Sequence, residues 1–198
     1  MSNAITIVAD HREIVTLRDI LPEAAGLRVL FVARTPTPAS VEAGHYFQGR
    51  QGKMFWNRLR NAGLLTATTA FEDDSLLSHG YGLIDLAKIP REHGQEPSRE
   101  EYAAGAERIL ELIGRHRPKI VVFVYKKVLD KITAVRFGIQ KKSRYGFNPW
   151  LETFFGARVF VFPLPGTPCN TVDAASAMQD LVIACQQGSA AAELNLVS

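Results

Sequence analysis

The chain has 198 residues, 46% of them hydrophobic and 22% charged, which suits one globular domain with a full core. Net charge is only +3, so the total points to no partner, and no apolar run approaches the ~20 residues that would span a bilayer. Cys169 and Cys185 show neither metal-ligand spacing nor a disulfide framework, and Met1 to Ile5 lacks a basic, apolar leader, so the expectation is a single-domain cytoplasmic monomer over 1–198 with no membrane contact, no metal and no cofactor.

In chain order, the segment Thr16–Leu21 reads as helical and leads to an apolar strand over 27–33. A long loop, 34–51, follows. Phe55, Leu59 and Ala62 share one helical face, and Gly63 stands where that helix stops. Residues 81–87 form a second strand. Ser98 and Glu101 have capping-box spacing, and Tyr102, Ala106, Ile109, Leu110 and Ile113 line one face of the helix they open. Residues 119–125 are the plainest strand, and a basic helix over 126–136 follows it. The last strand is 157–163. Asn170 or Thr171 caps a final helix to about Gln186, and the Ala- and Ser-rich tail from Gly188 is expected to fray. Strands alternating with helices imply right-handed βαβ units and a largely parallel sheet.

Two of the strands end in proline-punctuated loops, Arg34–Ser40 and Leu164–Asn170. Open α/β sheets bind ligands beyond the carboxyl ends of their strands, so both loops are expected to line one cleft. Between Arg117 and Arg144 lie nine basic residues and a single acid, Asp130, a distribution that suits a phosphate backbone. Lys126 and Lys127 follow the plainest strand directly and so face the same edge as the two loops. Lys53 and Arg58 extend that footprint. The chain has no Gly-rich phosphate loop followed by Lys-Ser or Lys-Thr, and no zinc signature.

Over residues 17–186 the chain resembles the uracil-DNA glycosylase superfamily, most closely its mismatch-specific uracil/thymine branch. Five pieces in order carry the resemblance: Asp19–Leu21 with Gly26–Val32, then Gly44–Phe47, then Phe55-Trp56 with Ala62–Leu64, then Gly82–Leu86 as the middle strand, and Phe162–Pro165 at motif two. The resemblance implies a three-layer α/β/α fold with a short, largely parallel sheet and a DNA groove across its carboxyl edge. It also implies hydrolysis of the bond between a damaged base and its deoxyribose, after the nucleotide is flipped out of the stack.

Carried over residue by residue, the branch's Gly-Ile-Asn-Pro-Gly becomes Ala33–Thr37. Thr35 replaces the water-orienting asparagine, and Pro36 is retained. A hydroxyl can hold a water but supplies no amide donor. Phe47 stands where the family stacks a ring on the flipped base, with Tyr46 and His45 beside it as hydrogen-bonding candidates. Motif two, Asn-Pro-Ser-Gly-Leu-Ser, becomes Leu164–Cys169, with Pro168 in the wedge position. Gly166 and Thr167 offer amides to a phosphate, and Asn170 follows them. If Thr35 cannot activate water, Asp85 is the candidate general base or cation stabiliser and His45 a donor to a base oxygen. Arg34 is expected to clamp a phosphate or to pair with Asp85. The leading expectation is a monofunctional glycosylase for uracil or another deaminated base in double- or single-stranded DNA. The alternatives are a nucleic-acid-binding protein that kept the fold without the catalysis, and a base-binding module without DNA affinity.

Overall fold

A computed structural model describes residues 2–9, 11–92 and 94–194. Its centre is a five-stranded sheet in the order β4 (Tyr81–Asp85), β3 (Val29–Ala33), β5 (Ile120–Phe123), β7 (Arg158–Val161), β6 (Gly146–Phe147). The first four strands are parallel, and the two-residue β6 pairs antiparallel to β7. The chain runs from β3 outward to β4, then crosses back to β5 on the other side of β3. That reversal is a topological switch point, where a crevice opens beyond the carboxyl ends of the strands.

Alternating strand side chains divide the core between the two faces of the sheet. Val29 and Phe31 meet Phe55, Trp56 and Leu59 of α2 (Arg50–Asn61) and Met178 and Leu181 of α6 (Thr171–Leu194). Leu30 and Val32 meet Tyr102, Ile109 and Ile113 of α3 (Arg99–His116) and Leu129 and Ile132 of α4 (Lys126–Phe137). Short α5 (Glu152–Phe155) adds Phe155 to the second face. The result is the expected three-layer α/β/α architecture. The capping box at the start of α3 forms as its spacing predicts, Ser98 accepting from the Glu101 amide and Glu101 from the Ser98 amide.

Four local expectations are corrected. Arg12–Leu17 is a strand, β2, paired antiparallel with β1 (Ala4–Ala9), because β-branched runs on both sides of the turn favour a hairpin over the helix read at Thr16–Leu21. Ile20 then exchanges backbone hydrogen bonds of 2.9 Å with Leu83, which covers the free edge of β4. The strand carrying Asp85 is therefore an edge strand and not a middle one. The loop 34–51 contains α1 (Pro38–Ala43), started by Thr37 accepting from the Ser40 amide with Pro38 in the first turn. The backbone of α6 stays helical to Leu194, past the point where fraying was expected; the side chains from Gly188 onward and all of residues 195–198 lie outside the described residues.

Helix α3 approaches the sheet closely through Gly105. A Cβ there would lie 2.5 Å from the Leu86 carbonyl oxygen and 2.6 Å from its Cδ1. Gly105→Ala is expected to cost about 1–3 kcal/mol by overpacking. The loss should appear as a lower urea midpoint with an unchanged slope.

Candidate active site

Past their last paired residues, β3 and β4 stay zipped together: the Leu86 amide donates to the Ala33 carbonyl (3.1 Å) and the Ala87 amide to the Arg34 carbonyl (3.0 Å). This fixes where the first proline-rich loop leaves the sheet. The loop, the turn at 44–47 and the start of α2 enclose a cavity of about 380 Å³ at the switch point. Its wall includes Thr35, Pro36, Tyr46, Phe47, Asp85 and Tyr125. The site is thus built from the carboxyl ends of three strands, β3, β4 and β5.

Phe47 is half-buried and holds a left-handed backbone, φ 58°, that a bulky residue rarely adopts. Its surroundings keep it there. The ring packs on Phe55 (centroids 4.7 Å apart) and edge-on against Trp56 (5.6 Å), and the Trp56 indole donates to the Tyr46 carbonyl (3.1 Å). Gly52, in the first turn of α2, lets the helix run directly against the Phe47 backbone.

Asp85 ends β4 with 1% of its surface exposed, and its Oδ2 has no hydrogen-bond partner among the described residues. Burial pushes its carboxyl up to about 7, against the pull of Lys88 and with a further push from Asp19. The nearby cations do not reverse this because Asp19 engages both: Lys88 Nζ and Arg108 Nη1 each lie 2.5 Å from its carboxylate. Lys88 also donates to the Leu17 carbonyl (2.8 Å), and Arg108 to the backbone carbonyl of Asp85 itself. Tyr46 is buried beside them, its hydroxyl donating to the Arg18 carbonyl (3.1 Å). Burial and then the Asp85 charge raise its pKa. The cavity wall therefore contains a carboxyl that is protonated below about pH 7, with the Tyr46 hydroxyl beside it and one oxygen, Oδ2, without a hydrogen-bond partner among the described residues.

The Thr35 hydroxyl is half-exposed in the same wall, with no hydrogen bond to any described residue. Arg34 does not pair with Asp85. Its guanidinium meets Glu96 at 2.6 Å and lies over the Tyr125 ring, 5.6 Å from the centroid. His45 is not in the cavity wall. It is buried, stacked on Phe71 with ring centroids 3.7 Å apart, and its Nδ1 meets Asp73 Oδ1 at 2.8 Å. Asp73 in turn accepts from the Asn3 amide group (3.0 Å) and the Tyr46 backbone amide (2.8 Å), so this cluster holds the turn that carries Phe47. His45, Asp73 and Asp74 bring donor atoms within 4.8 Å of one another, but the Asp73 oxygens are already occupied by these partners.

The second proline-rich loop does not reach this cavity. It borders a neighbouring one of about 470 Å³, where Thr167 lies among Lys126, Lys127, Lys131, Lys142 and Tyr145. Arg34 and Tyr125 belong to both walls, so the single expected cleft is two adjoining hollows. Gly166 and Pro168 are exposed outside both. Asn170 caps α6, accepting from the Asp173 amide at 2.8 Å. Lys53 is exposed on α2 away from either wall, and the Arg58 guanidinium is bonded to the Pro163 carbonyl. Lys126 and Lys127 do face the carboxyl edge, but Lys126 pairs with Asp130 (2.9 Å) and Lys127 with Glu96 (3.1 Å).

Residues that sequence reasoning missed lie in the 88–97 segment. Arg91 lines the first cavity, its backbone amide donates to the Pro36 carbonyl (3.0 Å), and its guanidinium grips both Glu101 oxygens (2.7 and 2.6 Å). Glu96 takes Arg34, Lys127 and the Tyr102 hydroxyl (2.8 Å) together. The one sequence signal was position, a Pro-bounded stretch between a strand end and a capping box.

Among known proteins, the chain is similar to the "G/U mismatch-specific uracil DNA glycosylase" of Schizosaccharomyces pombe, 29% identical over 138 residues, which cover 67% of this chain and 42% of that protein. The chain thus spans well under half the length of this relative. The family model described as "Uracil DNA glycosylase superfamily" matches residues 22–169, a span that contains every strand of the central sheet and, Leu17 apart, the residues that line both cavities. With the sheet order, the switch-point cavity and this match in agreement, the chain belongs to the uracil DNA glycosylase superfamily.

Proposed function

We propose that the protein is a DNA glycosylase that hydrolyses the N-glycosidic bond of uracil or another deaminated base in DNA. The observation that carries this reading is the buried Asp85 carboxyl, whose Oδ2 has no hydrogen-bond partner among the described residues, in the wall of a cavity flanked by Phe47. An extruded base stacks on Phe47. Its keto oxygen accepts from the protonated Asp85, a donor aimed where charge builds up as the bond between base and sugar breaks. The electron pair leaves with the base as an anion, the sugar carbon becomes cation-like, and water held by Thr35 forms the new C–O bond while the proton it loses passes to the departing base. In this scheme Asp85 acts as donor and not as the general base read from sequence, because burial disfavours the ionised form a base needs.

The rival reading is a nucleic-acid-binding protein of the same fold without catalysis. It draws on Thr35 standing where the family has a carboxamide and on the cation-lined second cavity. Both are tested by incubating the protein with single- and double-stranded oligonucleotides carrying uracil, hypoxanthine, xanthine or a G·T mismatch, then cleaving abasic sites with alkali. Scission that is lost in Thr35→Ala supports the glycosylase. Salt-sensitive retention without scission selects the rival.

A further inference from the structure

The second cavity has the composition of an anion site. Its lining includes five cations, Arg34, Lys126, Lys127, Lys131 and Lys142, with Asp130 as the one acid among them. Lys131 and Lys142 are exposed and have no acidic partner among the described residues. The other three are held by Glu96 and Asp130. Tyr125 gives α4 no side-chain cap, so the amides of its first turn add positive potential at the same spot. Tyr125 and Tyr145 supply an aromatic wall, and about 470 Å³ accommodates a nucleotide.

Resting on the glycosylase reading, we propose that this cavity is a second nucleotide subsite. It takes the phosphodiester of the nucleotide adjoining the extruded one, and Glu96 holds Arg34 and Lys127 in the free protein until that phosphate replaces it. The common wall of Arg34 and Tyr125 supports this, because a base in the first cavity tethers its neighbour at the mouth of the second.

The test is fluorescence anisotropy of undamaged single- and double-stranded oligonucleotides across a salt series. The Lys131→Gln/Lys142→Gln double variant is expected to bind about tenfold more weakly at low salt. The slope of log affinity against log salt should fall by about 1, the contribution of one to two phosphate contacts. Glu96→Gln has the opposite sign: it binds several-fold more tightly, with a steeper slope. Arg115→Gln, a control at the far end of α3 where the His116 carbonyl meets Gly26, changes neither. Unchanged slopes in the lysine and Glu96 variants overturn the proposal, as does an equal loss in the Arg115 control. Displacement of the strand by millimolar inorganic phosphate also overturns it, marking a free-phosphate site. No base is released in these measurements, so base release with unaltered slopes would remove the subsite and leave the glycosylase standing.

Discussion

Asp85→Asn is expected to keep base release and to remove its decline above pH 7. The wild-type carboxyl sits near 7, so its donor form fades as pH rises through that value, and the rate should fall with it. Asparagine offers an amide donor at every pH, and its profile should stay flat there. Asp85→Val, which has no donor, should lose about 10²–10³ in rate, as removal of one well-aimed donor does elsewhere. A general base would give another pattern, with the asparagine variant inactive and wild-type activity rising with pH. Stability provides an independent check. The folded carboxyl is raised above its ordinary 3.8, so between about 4 and 7 the folded protein binds more protons than the unfolded chain, and stability drops as pH rises through that window. The rise to about 7 corresponds to about 4 kcal/mol, fully lost above pH 7. Urea unfolding at pH 5 and pH 8 should therefore differ markedly for wild type and much less for Asp85→Asn.

Gly52→Ala should damage stability and activity together. A Cβ at residue 52 would stand 2.2 Å from the Phe47 carbonyl oxygen and 2.5 Å from its Cα, both backbone atoms that cannot swing aside. Either α2 shifts or the turn at Phe47 moves, at a cost of about 1–3 kcal/mol. The turn is already in a left-handed conformation and is pinned on Trp56 and Phe55, so the ring that flanks the cavity is displaced with it. Phe47→Leu separates the two effects. It keeps apolar cover over Phe55 but forfeits base stacking, worth about 1–3 kcal/mol, so activity at low substrate should fall about 5- to 150-fold. Fold stability should change far less than in Gly52→Ala, as read by thermal melting.

Much of the architecture was legible because strong local signals agreed with the tertiary result. The apolar runs at 27–33, 81–87, 119–125 and 157–163 all became parallel strands, and Ser98 with Glu101 marked the start of α3 to the residue. The hairpin at the amino terminus was missed although β-branched residues fill both of its strands, because Thr16–Leu21 reads as a helix and the two strands pair with each other outside the central sheet. The edge position of β4 follows from the order in which distant strands pair, which no local pattern encodes. At the site, Thr35, Pro36, Tyr46, Phe47 and Asp85 do come together in one wall, since each lies at a strand end or a turn that the order of elements places on one edge. His45 was misjudged for a physical reason. Adjacent residues in a turn point different ways, and its ring turned inward to Asp73 while that of Phe47 faced the cavity. The state of the lysines was equally hidden, because ion pairing with Glu96 and Asp130 arises only on folding.

The most direct measurement is a crystal structure of Thr35→Ala bound to an oligonucleotide that carries a cleavage-resistant 2′-fluoro-deoxyuridine. The uracil ring should lie against Phe47 with a keto oxygen about 3 Å from Asp85 Oδ2. A uracil left stacked in the strand, or a flipped base lodged away from Asp85, would contradict the account.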